Sequence, residues 1–182
     1  MIYDLIDCND PILKTPLENF NFDDPPTDPI ELAHTLAQTM ISNDGIGLAA
    51  NQIGLPYRAF AMMGEKIIVC FNPKVVDFSE ETVTMEEGCL SYPNLFVKVK
   101  RPRKIKVRYT EPNGNVVTTV YDGMTARVFQ HELDHLDGIS YQKRANKYHL
   151  EQAKKAAKKI RAFGGNKPMS SEAKELWEWL KA

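Results

Sequence analysis

The sequence predicts an α+β fold, and three observations carry that expectation. Two segments, at 29–43 and 124–137, place apolar side chains at helical spacing. The stretch between them is built of short runs that favour strands, one of them alternating apolar and polar residues. A further helical segment, rich in Ala and Lys, follows at 146–163. With 182 residues, 43% apolar and 26% charged, the chain can bury one real core but not two independent ones. The organisation expected is one domain over 1–163 and a short helical extension over 164–182.

The elements follow in order. Asn, Asp and Pro crowd 19–29, and then Asp28, Pro29 and Glu31 supply the cap, the first-turn proline and the box-like acid of a helix start. Ile30, Ala33, Ala37 and Met40 continue it to about Asn43, with Gly45 and Gly47 as its end. Strands are expected at 57–62, 66–71, 96–99 and 104–110; in the last, Ile105, Val107 and Tyr109 alternate with Lys104, Lys106 and Arg108. Glu111-Pro112-Asn113-Gly114 is a turn signal into a strand at 116–121, so the middle of the chain reads as mostly antiparallel sheet. The helix from Met124 to Asp137 brings Val128, His131, Glu132 and His135 onto one face, and Gly138 stops it. After the 146–163 helix, Gly164-Gly165-Asn166 and Pro168 break the chain before a closing helix at 171–180 with Leu176, Trp177 and Leu180 on one stripe.

A net charge of -1 gives no global field toward nucleic acid or membrane, so neither DNA nor a bilayer is expected as a partner. Cys8, Cys70 and Cys89 are an odd number at wide spacing, unlike the paired framework of a small secreted domain. No stretch approaches the roughly 18 consecutive apolar residues of a membrane span, and the start is acidic. A cytoplasmic location is the expectation, with organellar origin left open.

His131-Glu132-Leu133-Asp134-His135 sets two imidazoles one helical turn apart, able to reach one metal ion, with a carboxylate beside them. A hydrolytic metal commonly takes a third protein ligand and leaves one position open. A zinc peptidase of the metzincin type would carry histidine at 141, where Tyr141 stands. A thermolysin-like site would need a downstream acid such as Glu151, Glu172 or Glu175. Cys89, beside Gly88 at the end of an extended segment, is the remaining soft donor, although a lone Cys is more often a small buried hydrophobe. Spacing alone leaves the third ligand open.

Three segments in series carry a resemblance. Gly45-Ile46-Gly47-Leu48-Ala49-Ala50-Asn51-Gln52, Glu87-Gly88-Cys89-Leu90-Ser91 and Gln130-His131-Glu132-Leu133-Asp134-His135-Leu136-Asp137-Gly138 resemble, in order and rough spacing, the three motifs of peptide deformylases. The resemblance spans roughly residues 10–159 and implies an α+β fold whose antiparallel sheets pack around the helix of the two histidines. It implies one divalent ion, Fe²⁺ by family habit with Zn²⁺, Ni²⁺ or Co²⁺ as alternatives, held by Cys89, His131 and His135. It makes Glu132 the acid/base, and Gln52 with the Leu90 backbone N–H the oxyanion donors. The implied reaction is removal of the formyl group from formyl-methionyl nascent peptides: water polarised by the metal attacks, and Glu132 moves the proton to the departing amine.

By the same resemblance the Gly45-Ile46-Gly47 backbone pairs with an extended substrate, and Ile46, Met85, Met124 and Val128 line an apolar pocket for methionine. Two departures stand out. Phe96 occupies the place of a common arginine, with Lys98, Lys100 and Arg101 nearby, and Arg127 stands where an apolar residue is common, which puts the pocket rim in question. Lys and Arg dominate 143–161 against Glu151 alone, a solvated helix face or a ribosome contact.

Overall fold

The computed structural model describes residues 1–162. The expected extension, with the break after 163 and the helix at 171–180, lies outside the described residues. A five-stranded antiparallel sheet contains β1 (Gly47–Ala49), β2 (Ala59–Met63), β3 (Ile67–Phe78), β6 (Lys104–Thr110) and β7 (Val116–Asp122), in that order. Between β3 and β6 the chain leaves it to form a separate antiparallel hairpin of β4 (Thr82–Cys89) and β5 (Tyr92–Pro102). Among the described residues three α-helices pack on these sheets: α1 (Pro29–Ser42), α2 (Gly123–Leu136) and α3 (Lys147–Ala162).

Strand β2 shows how the layers are set. Its side chains point alternately to the two faces, and both faces are buried. Ala59 and Ala61 pack with Leu32, Ala33, Leu36 and Met40 of α1, while Phe60 and Met62 pack with Ala126, Val128 and Phe129 of α2. The small alanines allow α1 to lie close; the larger pair fills the space under α2. Farther along the sheet only the α2 side is covered, so Ile105, Val107 and Tyr109 are buried while Lys104, Lys106 and Arg108 face water. A third apolar cluster, Leu95, Val97, Val99, Tyr141 and Ala157, joins the hairpin to α3.

Local signals account for the element ends. Asp28 caps α1, its carboxylate accepting from the backbone N–H of Ile30 at 2.7 Å and of Glu31 at 3.2 Å. The Glu111–Gly114 turn joins β6 to β7 as expected, Gly114 donating to the Glu111 carbonyl at 2.9 Å. Two expectations need correction. The left-handed residue after α1 is Asp44, not a glycine, and neither Gly45 nor Gly47 has positive φ. Strands β1 and β4 were not among the expected strands, and β3 and β5 extend well past 66–71 and 96–99, β3 continuing through Pro73 by a register shift.

Gly138 ends α2 at φ +67°, and a Cβ there would meet the Lys14 backbone carbon and oxygen at 2.7 Å. Gly138→Ala combines left-handed strain of roughly 1–2 kcal/mol with a backbone collision. We expect at least about 2 kcal/mol of destabilisation, measured as a lowered urea midpoint at unchanged slope.

Candidate metal centre

Helix α2 sets the His131 and His135 rings 5.2 Å apart, centroid to centroid. The end of β4 delivers Cys89 from the hairpin, its Sγ 3.2 Å from His135 Nε2. One donor atom from each of the three lies within 4.8 Å of the other two. Bonds of roughly 2.0–2.3 Å to a tetrahedral ion require such spacing, and a thiolate with two imidazoles is a fitting donor set for a divalent transition metal. The alternative third ligands fare otherwise. Tyr141 is buried with its ring 5.4 Å from that of His131 and its hydroxyl donating to the Leu95 carbonyl at 2.7 Å. Glu151 is exposed on α3, and Glu172 and Glu175 lie outside the described residues.

Electrostatics prepare the sulfur. Burial pushes the Cys89 thiol up, but the two imidazoles outweigh it and hold the group well below the usual thiol range. Burial acts on His131 in the opposite sense, and Cys89 with Glu87 brings it back well above the usual imidazole value.

A buried ionic cluster stands behind the donors. Glu87 Oε2 lies 3.0 Å from His131 Nδ1, which leaves the other ring nitrogen toward the metal position. Arg101 grips Glu87 with two parallel bonds, Nε to Oε1 at 2.7 Å and Nη2 to Oε2 at 2.9 Å. Its third nitrogen reaches Asp134 Oδ2 at 2.7 Å. Arg127 adds a bond to Glu87 Oε1 at 2.8 Å and donates to the carbonyls of Val99 at 2.9 Å and Val83 at 2.6 Å. Burial would raise the Glu87 carboxyl; the guanidinium and imidazole partners hold it far below the usual carboxylate range. Arg127 is therefore no rim residue: it is 5% exposed and ties α2 to both strands of the hairpin.

Glu132 lies on the other side of the histidines, 4% exposed. Among the described residues its Oε2 has no hydrogen-bond partner, an orphaned acceptor next to three metal donors. Burial pushes its carboxyl up to about 7, with the two histidines pulling down and Cys89 and Glu87 pushing up. Gly47 makes room for it, since a Cβ there would collide with Glu132 Oε1. Gly45 meets the Leu90 side chain in a similar way, its Cβ position 2.8 Å from Leu90 Cδ1.

Gln52 is 2% exposed. The Ala49 N–H donates to its Oε1 at 2.9 Å, which turns Nε2 toward Ser91 Oγ at 3.0 Å and Cys89 Sγ at 3.5 Å. Neighbouring Asn51 is fully buried and donates to the His135 carbonyl at 2.7 Å, fixing the helix end that carries the second imidazole.

Ile46, Met124 and Val128 pack in the same apolar cluster, whereas Met85 is half-buried on β4, outside it. Leu90 follows Cys89 in the turn between β4 and β5. The Phe96 ring covers Gly88, lying 2.7 Å from where a Cβ would stand. A cleft of about 730 Å³ lined by Asn19, Arg58, Asn72, Lys74 and Arg108 contains none of these residues.

Glu87, Arg101, Asn51 and Ser91 were not assigned roles from sequence. One signal was available for Glu87: two residues before Cys89 on a strand, it belongs on the same face as the ligand.

A family model described as polypeptide deformylase matches residues 2–151. A peptide deformylase of Thermotoga petrophila is 46% identical over 105 residues, 57% of this chain, and the chain spans about 64% of the length of that relative. The crystal structure of peptide deformylase from Thermotoga maritima, 35% identical, superposes with a TM-score of 0.72 over 80% of this chain and 99% of its own. That of a peptide deformylase from Synechococcus elongatus in complex with actinonin, 32% identical, gives 0.76 over 94% of this chain and 88% of its own.

Glu87→Gln would leave two buried guanidinium groups short of their counter-charge. The expected loss is about 3–5 kcal/mol of stability and roughly ten- to a hundredfold of metal affinity, read by urea denaturation and chelator competition.

Proposed function

The chain belongs to the polypeptide deformylase family, and from that premise we propose that it hydrolyses the N-formyl group of formyl-methionyl nascent peptides and releases formate. The observation that carries the reading is the buried Glu132 carboxylate, with one oxygen unpartnered, beside the Cys89, His131 and His135 donors. We assign the three donors one divalent ion, Fe²⁺ by family resemblance. When bound, the ion supplies Lewis acidity to water and to a carbonyl oxygen. The same donors would hold Zn²⁺ more tightly on the general affinity order, with Ni²⁺ and Co²⁺ as further competitors.

The chain's own groups divide the remaining work. Glu132 accepts a proton from water and passes it to the amine nitrogen as the C–N bond breaks, and a carboxyl poised at about 7 suits both steps. Gln52 offers an N–H whose direction the Ala49 contact sets, and the Leu90 backbone N–H is the second donor proposed for the developing oxyanion. Substrate binding is assigned to β1, the terminal strand of its sheet, whose edge away from β2 can add an extended peptide through main-chain bonds at Gly45, Ile46 and Gly47. Ile46, Met85, Met124 and Val128 are assigned to the methionine side chain. Recognition through the main chain implies tolerance of varied sequence after that methionine.

A partner is proposed for α3. Lys147, Lys154, Lys155, Lys158 and Lys159 are exposed, while Ala157 packs against the hairpin and Leu150 and Ala153 support it. A face of that charge suits ribosomal RNA. No helix among the described residues is long and apolar enough to cross a membrane.

Protein loaded with Fe²⁺ under anaerobic conditions and offered a formyl-Met peptide and its unformylated counterpart is the deciding assay. Formate from the first and no peptide-bond cleavage in either is expected; cleavage of the unformylated peptide overturns the reading in favour of a peptidase. Glu132→Gln should retain metal and lose formate release. For the partner, replacing Lys154, Lys155, Lys158 and Lys159 by Glu should abolish salt-sensitive ribosome binding while leaving formate release intact.

A further inference from the structure

Arg144 is the last residue of a 3₁₀ turn, Tyr141–Arg144, just before α3, and its side chain is 48% exposed. An ion pair at such a place is ordinarily worth less than about 1 kcal/mol. Its partner alters that expectation. Asp134 is only 6% exposed, and Arg144 Nη2 holds its Oδ1 at 2.7 Å while Nε approaches Oδ2 at 3.3 Å. The other guanidinium on Asp134 belongs to Arg101, which must also serve Glu87. Two buried carboxylates thus compete for one buried arginine.

We propose that Arg144 is a positioning residue for the metal centre: by satisfying Asp134 from the surface, it keeps Arg101 on Glu87 and so keeps Glu87 on His131. The contacts form one series, Arg144 to Asp134 to Arg101 to Glu87 to His131 Nδ1, with lengths of 2.7, 2.7, 2.7 and 3.0 Å. Without Arg144, Asp134 Oδ1 loses its partner in a site shielded from water, and an unsatisfied buried carboxylate is costly. The available remedy is for Arg101 to turn toward Asp134. That movement breaks the two-point grip on Glu87 and leaves Arg127 on Oε1 alone, so Oε2, the oxygen that holds His131, loses its guanidinium partner and the imidazole its fixed orientation. Arg144 touches neither substrate nor ion; its influence passes through Glu87. The proposal rests on the assignment of Cys89, His131 and His135 as ligands.

The test compares Arg144→Gln, Arg144→Lys and, as a charge control, Lys143→Gln, each loaded with Co²⁺. Arg144→Gln should weaken Co²⁺ retention against a chelator by roughly ten- to a hundredfold, shift the visible absorption of the bound ion and lower kcat more than it raises KM. Arg144→Lys, which keeps the charge but not the two-point contact, should fall between Arg144→Gln and the unaltered protein. Lys143→Gln should match the unaltered protein. Wild-type retention and an unchanged spectrum in Arg144→Gln overturn the proposal, as does equal loss in Lys143→Gln. If Arg144→Gln fails to fold, an unchanged Co²⁺ spectrum and retention in Arg144→Lys also overturn it. Retention and spectrum need no substrate, so absence of formate release from the unaltered protein would refute the proposed activity without deciding the role of Arg144.

Discussion

Glu87 and the two guanidinium groups on it are the constraint from which the site follows. The donors come from two bodies: Cys89 from the hairpin, which forms a two-stranded sheet of its own, and His131 and His135 from the helix packed on the larger sheet. Their separation is set where the hairpin meets the helix, and that contact is ionic. Glu87 and Arg101 are hairpin residues, Arg127 and Asp134 helix residues, and all four are buried. Such a cluster is weak support for stability, because the cost of removing its charges from water offsets much of their attraction. What it provides is direction. A guanidinium bonded at several fixed points holds two elements in one register, which sliding apolar surfaces do not.

The apolar cores supply the platform under that contact. Burial on both faces fixes β2, and with it β1, between α1 and α2. Gly47 of β1 then lies so close under Glu132 that the carboxylate has room only because the glycine has no side chain. The first motif therefore acts on the third by shape: β1 leaves one edge outside the sheet pairing and still crowds the Glu132 carboxylate into a dry place. Dryness in turn raises the Glu132 carboxyl toward neutrality, since burial is the largest influence on it.

Much of this was legible in the sequence, and the parts that were not share a cause. Local signals worked: the Asp28 cap, the 104–110 alternation, the Glu111–Gly114 turn and the spacing of His131 and His135 all depend on residues a few positions apart. Strand β1 is only three residues long, too short for a period to appear. In β5, Pro93 and Pro102 sit near or at the ends of the strand and hid its length, as a two-stranded sheet tolerates prolines that a central strand would not. Arg127 reads as an intrusion into an apolar helix face because its partners are 28, 40 and 44 residues away. Asp134 stands between the histidines in sequence, but its carboxylate bonds to arginines and not to either ring.

Tyr141 shows why the third ligand could not be settled by spacing alone. In sequence it occupies the position where one class of zinc peptidase carries its third histidine. In space its ring lies tilted against His131 and its hydroxyl is committed to the Leu95 carbonyl. Leu95 and Tyr141 belong to the apolar cluster shared by hairpin and α3. The residue that stands where the peptidase histidine would be thus also seats the hairpin, and the packing of that hairpin is what brings the Cys89 sulfur beside the two imidazoles.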